Sequence, residues 1–88
     1  MKKLVNVQEV AGAGLVSLLG ENVQLICGNY IYAGKLTGVN DICVELENAG
    51  IVYETGDWNS KTWKNFQALQ SPYFVMIRNI ESFGKSGK

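Results

Sequence analysis

The sequence predicts a mainly β protein: an N-terminal α-helix followed by a five-stranded, strongly bent antiparallel barrel that stays partly open. Three observations lead there. Short runs alternate apolar and polar residues with the period of a half-buried strand, as in Val23-Gln24-Leu25. Gly28-Asn29 supplies turn chemistry between two such runs. Glycines inside the longer runs, at Gly34, Gly38 and Gly50, mark places where a strand can bend or another backbone can come close.

The helix is expected over about residues 7–19. Asn6 is placed to cap it with Glu9 three residues on, and Val5 and Val10 occupy the two positions of a hydrophobic staple. Val7, Val10, Ala11, Gly14, Leu15 and Leu18 then follow the spacing of one buried helical face. Gly12 and Gly14 each weaken a helix by about 1 kcal/mol relative to alanine, so packing against the sheet has to support it. Gly12-x-Gly14 is also the stub of a dinucleotide fingerprint. Ser17 stands where the third glycine belongs and no strand precedes it, so a nucleotide-cofactor role is not expected.

Strands are expected at Asn22–Cys27, Tyr30–Val39, Asp41–Glu54, Tyr73–Arg78 and Ile80–Phe83. The second and third are long, with bends at Gly34, Gly38 and Ala49 to Gly50, which suits a small barrel. Residues 55–72 form a connection too long for a hairpin. It carries Trp58, Lys61, Trp63, Lys64, Phe66 and Leu69, and Thr62, Phe66 and Leu69 have the spacing of one or two helical turns before Pro72. Aromatics interleaved with lysines suit stacking on unpaired bases and neutralising phosphates. The same rings would equally serve to cover the barrel mouth or a neighbouring subunit.

Composition narrows the function classes. A single domain of 88 residues buries only about 60 to 65% of the surface of its unfolded chain. With 47% apolar and 18% charged residues, its surplus of apolar surface favours an oligomer. Eight basic residues balance eight acidic ones, so any nucleic-acid binding has to come from local clustering. There is no histidine, the carboxylates are scattered, and Cys43 has no base to activate it; no enzymatic activity is expected. Cys27 and Cys43 are too few for a structural zinc site and read as small hydrophobes in a reducing compartment, so no metal or other cofactor is expected. Polar Asn6, Gln8 and Glu9 interrupt the apolar stretch after Lys2-Lys3. No membrane span is expected and the protein is read as cytoplasmic.

The runs 23–49 and 75–83 together resemble the two halves of the Sm motif. Val23-x-Leu25, the Gly28-Asn29 turn, Tyr32-x-Gly34-x-Leu36 and Val44-x-Leu46 answer to the first half, and Ile77-Arg78 followed by Ile80 to the second. The chain is therefore similar to the Sm-like (LSm/Hfq-type) family over roughly residues 7–54 and 73–84. As one Sm-like domain it would comprise a first half at 22–54, the long loop at 55–72, a second half at 73–84 and a flexible tail at 85–88. The resemblance implies an SH3-type barrel and a homo-oligomeric ring of about five to seven subunits, in which the fourth strand pairs with the fifth of the next subunit. It also implies single-stranded RNA as partner, with the protein a non-catalytic scaffold or RNA chaperone.

By the family pattern a base is held between a stacking side chain and an arginine, while an asparagine bonds its edge. Arg78 matches the arginine. Cys43 stands where the asparagine belongs, Asp41 where the stacking residue belongs, and Asn40 near the family's aspartate. Asn79 leads straight to Ile80 without the usual glycine, and the Lys-His pair of the Hfq branch has no counterpart. The RNA-binding residues expected are Arg78, Asn40, Asp41, Asn79, Lys61 and Trp63. Two of them have a plainer reading beside this one: Arg78 as a solvated strand-end charge or a partner of Asp41, and Asp41 as a turn former accepting from backbone amides. Tyr30 and Tyr32 read as strand-surface and interface rings. The alternative function is an oligomeric β-barrel structural or protein-interaction module that has lost the RNA pocket.

Overall fold

Alternation in the sequence becomes strand β1, Asn22–Cys27, which buries Val23, Leu25 and Cys27 on one face. The computed structural model describes residues 14–54, 56–57 and 59–87. Five further strands follow: β2, Tyr30–Val39; β3, Cys43–Val52; β4, Gln67–Ala68; β5, Tyr73–Met76; and β6, Ser82–Lys85. All pair antiparallel in one sheet of order β4-β3-β2-β1-β6, with β5 on the same edge of β3 as β4. The sheet is open, since β5 and β6 lie at its two ends and do not pair with each other.

Local chemistry accounts for the joints. Cys27 pairs with Tyr30 across a two-residue turn in which Gly28 takes φ 54°, a conformation costly for any residue with a Cβ. Between β2 and β3 the Asn40 Oδ1 accepts from the Ile42 and Cys43 amides at 2.7 and 2.9 Å, and the Asn40 amide donates to Cys43 O at 3.0 Å. The β2–β3 register slips between Ala33 and Lys35 and again between Leu36 and Gly38, so both long strands bend. A Cβ on Gly34 would lie 2.9 Å from Ala49 Cα, which is why the backbones can approach there.

The core lies inside this bend. Val23, Leu25, Cys27, Leu36, Val44, Leu46, Ala49 and Val75 form one buried cluster drawn from β1, β2, β3 and β5, and Leu15, Leu18, Tyr32 and Ile77 pack on it. Burial of roughly 25 cal/mol per Å² of apolar surface is the main force holding so short a chain together.

Several expected elements differ. Most of the expected helix, residues 7–13, lies outside the described residues; the described remainder is a single 3-10 turn, Leu15–Leu18. Gly14 enters that turn at φ 81°, which a right-handed helix cannot include, so the helical face read through residues 14–18 is broken at its glycine. Among the described residues there is no α-helix. The sheet has six strands rather than five, because the long loop contributes β4 in place of helical turns at Thr62 to Leu69. The third strand starts at Cys43, not Asp41, because Asn40 ties residues 40–43 into a turn. The fourth strand ends at Met76, and Ile77–Asn79 form a 3-10 turn that carries the chain from the β3 edge across to β1. Arg78 is therefore on a turn, and β6 begins two residues later than the fifth strand expected.

Candidate nucleic-acid interface

The strand order brings two of the sequence-predicted groups to one end of the sheet. β5 pairs with β3 so that Cys43 lies opposite Met76, and the ladder continues with the Ile77 amide donating to Ile42 O at 2.8 Å. The turn bearing Asn40 and Asp41 and the turn bearing Arg78 and Asn79 therefore both start from this joint. All four residues are exposed. The role expected of Asp41, accepting from backbone amides, is filled by Asn40, whose oxygen is thereby committed to its own turn. Ion pairs among the described residues are Lys64–Glu54 at 3.1 Å and Lys85–Glu21 at 3.6 Å; Arg78 and Asp41 form none.

Beside this end lies a 420 Å³ cleft that sequence reasoning did not assemble, between the β1–β2 turn and β5. Its walls include Tyr30, Tyr32, Tyr73, Phe74 and Met76, and Asn79 reaches its rim. Tyr32 stacks on Tyr73 with ring centroids 6.0 Å apart, and Tyr30 meets Tyr53 edge-on at 5.1 Å. The strand alternation of Tyr30 and Tyr32 is legible in the sequence, but the stacking of Tyr32 on Tyr73 depends on β5 folding back along β3.

Cys27 also lines this cleft, and both cysteines are free. Burial pushes the Cys27 thiol above its ordinary value of 9.0, with the Glu81 charge adding to it. Burial likewise raises the Tyr32 hydroxyl above 10.0, with a smaller contribution from Tyr73. Both groups are acids held neutral by the fold, so their stabilising effect is complete below about pH 9 and is lost as pH climbs through the raised values. Urea midpoints measured from pH 7 to 11 are expected to fall above about pH 9, and Cys27→Ala to remove the first part of that fall. A midpoint that rises with pH across this window would contradict the assignment.

Lys61 and Trp63 are not at the Arg78 end. They line a separate 380 Å³ cleft at the bend of the sheet, together with Phe66, Asn22, Asn48 and Ser86, over a floor of Ala33 and Gly34. The long loop reaches this position by doubling back along β3. Asn65 donates to Glu54 O at 3.0 Å, Leu69 to Ala49 O at 2.8 Å, and β4 pairs Ala68 with Gly50. The Phe66 ring lies directly over Gly50, in space that a Cβ there would occupy. Asn48, the non-glycine residue at φ 52°, has its amide donating to Ser71 Oγ at 2.7 Å. Trp58 lies outside the described residues. Asn22 and Asn48 went unrecognised because nothing local marks them; three separate segments have to converge before they face the loop.

Among the described residues no group of three or more histidine, cysteine or acidic side chains is placed to hold a metal, and no helix is long and apolar enough to cross a membrane. Compared with known proteins, the chain matches no family model and no curated sequence.

Proposed function

We propose that the protein is an Sm-like ring component that binds single-stranded RNA without catalysing a reaction, as a scaffold or chaperone. The observation that carries this reading is the Ile77–Ile42 bond, which starts the Asn40–Asp41 and Arg78–Asn79 turns from one end of an open sheet whose two edges remain unpaired among the described residues. Around a symmetric ring of partly open barrels, each copy would bring one Arg78 to a common opening. Repetition then concentrates positive potential that a single exposed arginine does not provide.

The edges support self-association. Phe74 on β5 is 55% exposed and Phe83 on β6 is 44% exposed, with Ile42 and Met76 near the first and Val16 and Leu19 among the other exposed apolar residues. Unpaired edges flanked by such side chains attract another strand. Joining β5 of one copy to β6 of the next is a head-to-tail contact, which closes into a ring when the rotation fits.

The test is fluorescence anisotropy with labelled U-rich, A-rich and mixed oligonucleotides at two salt concentrations. Unpaired RNA is expected to bind more tightly than duplex, since side chains reach base edges only when bases are unstacked. Affinity is expected to fall with salt on a shallow slope set by the few phosphates neutralised. Arg78→Ala should cost about 1 to 3 kcal/mol per bound base, the loss of a charge-assisted contact, without altering the oligomer. If no oligonucleotide binds at low salt, or Arg78→Ala binds as well as the native chain, the RNA reading fails. A protein-interaction module then replaces it, a reading favoured by the balanced charge and by the use of Asn40 in its own turn.

A further inference from the structure

The cleft beneath the long loop combines three kinds of chemistry in one place. Trp63 and Phe66 offer aromatic surface, Asn22 and Asn48 offer carboxamides that both donate and accept, and Lys61 offers a positive charge. Among the described residues no aspartate or glutamate lines it. Lys61 is exposed and takes part in neither of the ion pairs among the described residues. Ala33 and Gly34 add small residues to the lining, and 380 Å³ falls within the range of small-molecule sites. Asn48 is held in a left-handed conformation by its neighbours, a feature that fixes where its side chain begins.

We propose that this cleft binds one nucleoside phosphate. The base stacks against Trp63 or Phe66, the Asn22 and Asn48 carboxamides meet its hydrogen-bonding edge, and Lys61 meets the phosphate. A neutral sugar would gain nothing from the lysine's charge, and an acidic peptide would make no use of the paired aromatic surface and carboxamides. The site is distinct from the Arg78 end: this cleft and the one that Asn79 lines share no residue. It does not depend on RNA binding at Arg78.

The full chain carrying Trp58→Phe has Trp63 as its sole indole, so its intrinsic fluorescence reports on the cleft. UMP and AMP are titrated against uridine, adenosine and inorganic phosphate. At least one mononucleotide is expected to change the Trp63 emission saturably, with a dissociation constant on the order of 0.1 to 1 mM. Lys61→Ala should weaken that mononucleotide about tenfold and leave its nucleoside unchanged. Phe66→Ala should weaken both, and Arg78→Ala neither. A labelled U-rich or A-rich pentamer then distinguishes two sources of the same ligand. If the site takes nucleotides within a strand, the pentamer displaces the mononucleotide; if it takes free ones, it does not. Failure of every mononucleotide to bind would overturn the proposal, as would equal binding of inorganic phosphate alone or indifference to Lys61→Ala. Oligonucleotide binding lost in Arg78→Ala but accompanied by no mononucleotide binding would overturn this site while leaving the Arg78 reading standing.

Discussion

Leu46→Ala is expected to destabilise the protein by about 2 to 5 kcal/mol, the cost of a buried leucine truncated to leave a cavity. Leu46 is fully buried, and it faces Leu36 across the β2–β3 ladder and Tyr73 across the β3–β5 ladder. The cavity would open where three strands meet, and a bent sheet pinned on both sides cannot collapse to fill it. A domain of this size has a net stability of only about 4 to 13 kcal/mol, so the loss would take a large share of it. Denaturant unfolding is the measurement, with the midpoint reduced and the slope retained. Glu47→Ala, one residue along on the exposed face, serves as the neutral comparison. Equal midpoints for Leu46→Ala and the native chain would mean that the strands do not share this core.

The second large effect concerns assembly. The Ile77 amide donates to Ile42 O, and amides on a strand alternate in direction, so the Val75 amide also faces β3 while those of Phe74 and Met76 face the open edge. On β6, the Ser86 amide donates to Asn22 O, so the amides of Phe83 and Lys85 face the other open edge. Phe74→Pro removes an outward donor and an exposed apolar side chain while sparing the bonds to β3, a position where proline is tolerated in an edge strand. Sedimentation is expected to show the proposed oligomer for the native chain and a monomer for Phe74→Pro, with far-UV circular dichroism unchanged. Val75→Pro, by contrast, would remove a bond to β3 and lower stability as well. If Phe74→Pro assembles like the native chain, β5 is not the docking edge.

The parts of this fold that were legible in sequence are those that local chemistry controls. β1 and β2 have the bounds their alternation and the Gly28 turn predict, because residues within a few positions of each other decide both. The helix was misread from residue 14 onward because apolar spacing was counted through a glycine that takes φ 81°. The long loop was misread for a different reason. Thr62, Phe66 and Leu69 do have helical spacing, but Phe66 is drawn onto Gly50 and the loop backbone finds its partners in β3, so tertiary pairing overrides the local pattern. The six residues that the sequence assigns to RNA divide between two places. Asn40, Asp41, Arg78 and Asn79 lie on two turns that start from one end of the β3–β5 ladder, a pairing within the chain that their own neighbourhoods do not specify. Lys61 and Trp63 are in a different cleft, since nothing in their own neighbourhood specifies which face of the sheet the loop crosses.

The proposed ring and its RNA strand can be tested together by light scattering of the purified chain across a concentration series, with and without a U-rich oligonucleotide. The predicted result is a mass of about five to seven times the 9.7 kDa chain, independent of concentration, rising on addition of RNA by one strand per oligomer as a shared opening requires. A mass of 9.7 kDa at every concentration, or an oligomer whose mass does not change with RNA at low salt, would contradict it.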